Sequence, residues 1–305
     1  MRILVLGRTG YLGAHVADRL RGLPDAVILD GGRSPGAGFA VDLALDRPER
    51  LAKTLAAAAP DAVVNCAGAT GSDPVALAEV NARGPAVLCA ALREAAPAAR
   101  LVHLGSAAEY GPGTPGTRVA ESEPACPVTP YGASKLAGTV AVTASGLDAV
   151  VLRVGNPVGP GAPATGLPGR ITALLREAGA DPAAVLRLGD LSAYRDFVDV
   201  RDVARAAELA VTARGPVPPV LNVSTGEAVP VRDLVAALVR RSGFPGRIEE
   251  DSGEAAGSSR SAAVSWQCSD VTGAARALGW RPEHPLDHMA DALWEAAARD
   301  DGTGP

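Results

Sequence analysis

The stretch Arg2-Ile-Leu-Val-Leu-Gly7-Arg-Thr-Gly10-Tyr-Leu-Gly13 decides the fold. A continuous apolar run ends in regularly spaced glycines, and an alanine-containing helical stretch follows at once. Strand, glycine turn and helix in that order make the first half of a βαβ unit. Glycine permits the tight turn, lets backbone N–H groups approach a pyrophosphate, and lets the helix pack closely on the strand. The helix N-terminus then favours negative charge. Position between strand and helix, more than the glycine pattern, separates this segment from an ordinary glycine-rich turn.

Working outward, apolar runs recur at Ala26–Leu29, Ala62–Asn65, Arg100–Leu104 and Ala149–Arg153, with alanine-rich helical stretches between them. Parallel strands need helical crossovers, so the alternation predicts an α/β fold, a doubly wound parallel sheet of the Rossmann type. From Asn156 the pattern loosens, and Asn156 to Pro163 reads as an irregular loop. Beyond it come a strand at Tyr194–Val200, a helix at Asp202–Val211, a strand at Val220–Val223 and an amphipathic helix at Val231–Arg241. The division that follows is a dinucleotide-binding domain of residues 1–155 and 190–223 and a smaller C-terminal α/β substrate-binding lobe of residues 156–189 and 224–298. Glu250–Ser261 reads as a mobile polar loop and residues 299–305 as a frayed tail.

Composition limits the partners. A chain of 305 residues with a net charge of −5 and no run of like charges offers no surface for nucleic acid. Its four cysteines are scattered without a C-x-x-C or a nearby His pair, so no metal site and no disulfide framework is expected, and reduced thiols in a cytoplasmic protein fit best. No export signal is read at the start, and no apolar stretch is expected to reach membrane-spanning length.

Two residue groups suggest chemistry. Asp30 closes the second apolar run, where an acid accepts hydrogen bonds from an adenosine ribose and favours NAD. Arg8 inside the glycine turn and Arg33 just beyond Asp30 pull the other way, since a guanidinium neutralises the 2′-phosphate of NADP. The balance leans slightly to NADP(H), with Asp30 turning away. Tyr131 and Lys135 form a Tyr-x-x-x-Lys spacing, one turn apart on one helix face, so the ammonium can lower the phenol's affinity for its proton. Ser106 follows the Leu101–Leu104 run, at the strand end where doubly wound sheets hold their ligands.

These segments, taken in order with Asp42-Leu43, Asn65-Cys66-Ala67-Gly68, Asn81, Gly105 to Gly111, Arg153 to Gly159 and Arg195 to Val200, resemble the extended short-chain dehydrogenase/reductases of the NAD-dependent epimerase/dehydratase family. The resemblance runs from Arg2 to about Leu293. It implies a catalytic triad of Ser106, Tyr131 and Lys135, with Lys135 also holding the nicotinamide ribose. It implies that the cofactor touches Gly7, Arg8, Gly10, Tyr11, Leu12 and Gly13, then Asp30 or Arg33, Asp42 and Leu43, Cys66, Ala67 and Gly68, and Pro157 and Val158.

For a nucleotide-sugar substrate the matching positions are Asn156, Arg195 and Arg260, the arginines gripping a diphosphate. Ala263 stands where the sugar enzymes carry an acid for the nucleotide ribose, and Ala108 where the dehydratases carry the acid that expels water. The Leu188 to Val203 run resembles the reductases of GDP-4-keto-6-deoxymannose. A reductase of an NDP-4-keto-6-deoxysugar is the leading expectation. Alternatives are a ketoreductase for a non-sugar natural product, a 4-epimerase, and a regulatory protein that senses NAD(P)H without turnover. His15 and His103 are read as structural, and Cys66 and Cys89 as small core residues. The alanine-rich helices Pro74–Glu94 and Tyr131–Ala144 are expected to pair two subunits, since relatives often dimerise there.

Overall fold

The computed structural model describes residues 1–71, 73–251 and 264–300. The first half of the chain alternates strand and helix: β1 (Arg2–Leu6), α1 (Tyr11–Arg21), β2 (Val27–Gly32), the short β3 (Phe39–Ala40), α2 (Pro48–Ala58), β4 (Ala62–Asn65), α3 (Pro74–Leu77), α4 (Gly84–Ala95), β5 (Arg100–Ser106), α5 (Pro130–Thr143) and β6 (Ala149–Val154). The second half contains β7 (Asn156–Val158), α6 (Leu167–Ala178), β8 (Val185–Gly189), β9 (Tyr194–Asp199), α7 (Val200–Thr212), β10 (Val220–Val223), β11 (Ala228–Pro230), α8 (Val231–Ser242), β12 (Arg247–Asp251), α9 (Thr272–Leu278) and α10 (Leu286–Asp300).

Seven strands form one sheet in the order β10-β6-β5-β4-β1-β2-β3, all parallel. The order reverses between β1 and β4, which opens a crevice above the strands' C-terminal ends. Strand alternation divides the core. Ile3 and Val5 join Val16 and Leu20 of α1 on one face, while Leu4 and Leu6 join Leu51 and Leu55 of α2 and Leu88 of α4 on the other. The smaller lobe has its own apolar cluster, in which Leu186, Leu191 and Phe197 meet Leu234 and Leu238 of α8 and Leu293 of α10. Its strands form a three-stranded sheet, β11-β9-β7, whose central strand falls in the 190–223 stretch expected in the dinucleotide-binding domain, and a parallel pair, β12-β8.

Several expectations are corrected. Asn156 to Val158 is not irregular: it forms β7, and Pro157 is tolerated because β7 is an edge strand whose one neighbour is β9. Asp30 lies inside β2, which continues to Gly32. Pro74–Ala95 is, by length and composition, long and apolar enough to cross a membrane, although half of that window is buried inside the protein. Leu88, Cys89, Ala91 and Leu92 on it pack into the second cluster with α2. Between α3 and α4 it passes through a π-helical turn, Ala78–Arg83. Glu250 and Asp251 end β12 and α10 runs through Arg299 to Asp300, whereas residues 252–263 and 301–305 lie outside the described residues.

Candidate active site

The glycine turn occupies the end of β1 at the reversal point. Gly7 adopts φ +78°, and a Cβ there would come within 2.8 Å of the Ala67 backbone. A Cβ on Gly13 would sit 2.1 Å from the Gly7 carbonyl oxygen, so only glycine lets α1 start this close to the strand. Gly10 caps α1 with no capping side chain among the described residues, leaving first-turn N–H groups for a ligand. Gly10, Tyr11 and Leu12 line the crevice. Tyr11 is tethered below it by its hydroxyl, which donates to the Gly159 carbonyl at 3.3 Å, and His15 Nε2 meets the Pro160 carbonyl at 2.8 Å.

The Asp30 side chain reaches the glycine turn. Its carboxylate pairs with Arg8 Nη2 at 2.9 Å, and this bond holds the Arg8 guanidinium above its ordinary value. The two residues that favour different coenzymes thus neutralise each other. Arg8 Nε is buried without a hydrogen-bond partner among the described residues. A tight glycine cradle, open helix N–H groups and an orphaned guanidinium nitrogen together fit a dinucleotide. Arg33 is exposed. The Asp42 carboxylate accepts from Ala44 N–H at 3.0 Å, Leu43 is buried in the second cluster, and Val158 is buried in the third. Gly7, Arg8, Gly13, Asp30, Arg33, Asp42, Leu43 and Val158 lie outside the crevice lining, which Cys66, Ala67, Gly68 and Pro157 join. Burial pushes the Cys66 thiol up to about 12.

At the neighbouring strand end, Ser106 is the last residue of β5 and caps a short helical turn, Ala107–Glu109. Its N–H donates to Glu109 Oε1 at 2.7 Å, and its Oγ accepts from Ala108 N–H at 3.2 Å. Thr129 caps α5, Pro130 takes the first helical position, and Tyr131 follows. Gly132 brings this helix against the Ser106 turn: a Cβ there would lie 2.4 Å from the Ala108 carbonyl oxygen. Lys135, one turn on, is buried, and its Nζ donates to the Leu104 carbonyl at 2.5 Å. Burial lowers the Lys135 ammonium from its ordinary range, while the negative charge of Glu109 acts the other way.

Asn81, in the π-helical turn, completes the frame. Its side chain holds both backbone groups of Ala69, at 2.8 and 2.9 Å, and donates to Ser134 Oγ at 3.1 Å, so it ties the loop after β4 to α5. Such turns recur at functional sites. His103 is buried and neutral: desolvation, then Lys135, lower it, and its Nδ1 meets Asn65 Nδ2 at 3.1 Å.

Ser106, Tyr131 and Lys135 share one cleft of about 490 Å³ with the glycine turn. Its far end is built by the smaller lobe. Asn156 Nδ2 donates to the Asp196 carbonyl at 3.2 Å and to Gln267 Oε1 at 2.7 Å. Arg195 is buried on the lining, where burial lowers its guanidinium and Nη1 donates to the Tyr194 carbonyl at 2.8 Å. The Asp196 carboxylate accepts from Thr225 Oγ1 at 2.6 Å and Ser269 N–H at 2.9 Å. Arg260 and Ala263 lie outside the described residues. Sequence reasoning missed Gln267, Thr129 and an apolar wall of Leu167, Leu191, Phe197, Val231 and Val264. Thr129 carries a local signal, a helix cap before Pro130, whereas no local motif marks the others, which meet only when the smaller lobe folds over the sheet.

Fold and site together define a NAD(P)-dependent oxidoreductase of the extended short-chain dehydrogenase/reductase class. The chain belongs to the NAD dependent epimerase/dehydratase family, whose model matches residues 3–224. It is 39% identical over 307 residues to the dTDP-6-deoxy-L-talose 4-dehydrogenase (NAD(P)(+)) of Kitasatospora kifunensis, covering 97% of this chain and 95% of that one. It is 26% identical over 326 residues to the GDP-6-deoxy-D-mannose reductase of Pseudomonas aeruginosa, covering 98% and 99%. Among solved structures, RMD from Pseudomonas aeruginosa complexed with NADPH shares the fold, with a TM-score of 0.82 at 24% identity over 98% of this chain and 99% of that one. The resemblance to deoxymannose reductases is thus present beside a higher identity to the deoxytalose dehydrogenase.

Proposed function

We propose that this protein interconverts a ketone and an alcohol at C4 of a nucleotide-linked 6-deoxyhexose, acting as an NDP-4-keto-6-deoxysugar reductase with dTDP as the leading nucleotide. The observation that carries the reading is one cleft holding Ser106, Tyr131 and Lys135 at one end, Asn156 and Arg195 at the other, and an apolar wall between, suited to a sugar lacking its 6-hydroxyl. The nucleotide follows the 39%-identical relative.

In this reading Gly10 to Leu12 hold the pyrophosphate, Arg8 and Asp30 meet the adenosine ribose, and Lys135 meets the nicotinamide ribose. The bound coenzyme supplies hydride to the carbonyl carbon. Tyr131 gives its phenolic proton to the carbonyl oxygen, and the Lys135 ammonium stabilises the phenolate left behind. Ser106 Oγ already accepts from Ala108, so its own proton is the one it offers to the same oxygen. Ala108 carries no acid, which disfavours loss of water. Arg8 neutralises Asp30, so a 2′-phosphate meets no net negative charge there, and NADPH is proposed as the better coenzyme with NADH accepted.

The test is coenzyme oxidation with dTDP-, GDP- and UDP-4-keto-6-deoxyhexoses and with polycyclic ketones, with Tyr131→Phe as control. Turnover of sugars supports the proposal, whereas ketones alone, or epimerisation without net coenzyme use, would sink it. Equal or higher kcat/KM with NADH overturns the coenzyme preference. We also propose a homodimer formed through the Pro74–Ala95 and α5 helices, where Val75 and Val140 are exposed. Sedimentation as a monomer at micromolar concentration rejects that.

A further inference from the structure

The buried Glu109 has no part in the proton transfer described above, yet it is wholly enclosed. A carboxylate is costly to bury unless each oxygen finds a donor. Both do here: Oε1 accepts the Ser106 N–H at 2.7 Å, and Oε2 accepts Arg153 Nε at 2.8 Å. Arg153 is itself buried, and its guanidinium lies 4.4 Å from the centre of the Tyr110 ring. The Tyr110 hydroxyl donates to Asn222 Oδ1 at 2.8 Å, anchoring the group to β10. Gly105 has no room for a side chain because Glu109 Oε1 and Val151 would each lie 2.7 Å from its Cβ. The carboxylate is therefore wedged against the strand end that presents Ser106.

Glu109 and Lys135 are bonded to the same strand end, at the Ser106 N–H and the Leu104 carbonyl, and the Glu109 charge raises the lysine's affinity for its proton. Among the described residues, the titratable groups around that lysine are Glu109 on the Ser106 turn, Cys66 after β4, His103 on β5, and Tyr131 on its own helix. Cys66 and His103 are held uncharged by burial. Glu109, paired with Arg153, is thus the source of negative charge.

We propose that the Glu109–Arg153 pair is a positioning device for the proton-handling residues: Glu109 clamps the Ser106 turn through its N–H and sets a negative charge against Lys135, and Arg153 holds Glu109 in place. The proposal rests on the proton-handling role given to Ser106, Tyr131 and Lys135, but its main readout needs no substrate. Lys53, which is exposed, and Lys135 are the only lysines in the chain, so lysine-selective ¹³C labelling yields two signals, assigned by K53R.

The experiment follows the pH titration of the Lys135 signal in the full chain. In E109Q it is expected to titrate at lower pH than in the parent. E109Q/R153M removes the stranded guanidinium and restores a neutral, packed pair, guarding against a variant that fails to fold, and the same downward displacement is expected. E109D keeps the charge but shortens the clamp, so the titration stays near the parent's while kcat falls about 10-fold. A folded E109Q/R153M with parental Lys135 titration and parental kcat would overturn the proposal. If the titration moves but no sugar is turned over, the substrate reading fails and this one stands.

Discussion

Tyr131 and Lys135 face the cleft from the first turns of one helix, and the geometry assigns them unequal work. Lys135 is buried and bonded to the Leu104 carbonyl, so it is a fixed charge, whereas Tyr131 is half-buried and presents its phenol to the cleft. Removing the hydroxyl in Tyr131→Phe should cost about 10²–10⁴-fold in kcat while leaving coenzyme affinity within a few-fold, as steady-state kinetics and a fluorescence titration would report. Wild-type kcat in that variant refutes the proton-donor role. At the other end of the coenzyme site, Arg8→Ala should weaken NADPH binding about 10-fold more than NADH binding, because it removes a charge-assisted hydrogen bond to the 2′-phosphate and leaves Asp30 unopposed. Equal losses for the two coenzymes in calorimetric titrations would show that Arg8 does not read that phosphate. The placement of these residues was legible locally, as a four-residue interval on a helix and a glycine turn after a strand, while their roles came from the family resemblance. Gln267 was not legible, because its partner Asn156 lies far away in sequence and only the folded lobe joins them.

Among elements, β1, β4 and β10 were read to the residue and β2, β5 and β6 to within three residues, because each is a continuous apolar run in the main sheet, whereas the parallel pair β8 and β12 went unread. The misses have specific causes. Pro157 disguised β7, and short strands such as β3 and β11 carry too few residues to show a period. The π-helical turn was invisible because the partners that Asn81 bonds from within it, Ala69 and Ser134, are brought there only by the folded chain. Element contacts also explain which glycines are required. Gly13→Ala forces a methyl group into the Gly7 carbonyl, and chemical denaturation should show a loss of about 1–3 kcal/mol with weakened coenzyme binding. Gly116→Ala, where no atom lies within 4 Å, meets no clash and carries only the backbone cost of its φ of +81°, so a larger loss there than at Gly13 would contradict this account.

For the molecule as a whole, the buried neutral His103 links stability to pH. Its protonation is disfavoured in the folded state, so the unfolded chain binds more protons as pH falls below about 6.5. Stability is therefore lost on acidification, by about 1.4 kcal/mol per pH unit from this group alone. Urea unfolding at a series of pH values should show that slope, and His103→Asn should lack it. A variant with the parental slope would place the proton uptake elsewhere.

The edge strand β10 has a consequence in time. It pairs with β6, yet the chain reaches it only after building β7, β8, β9 and α7, most of which belong to the smaller lobe. During synthesis on the ribosome, the growing N-terminal sheet keeps one flank of backbone N–H and C=O groups open until residues 220–223 emerge. Nascent chains halted before that point expose the six-residue edge of β6 in place of the four-residue edge of β10, a longer template for pairing with another strand.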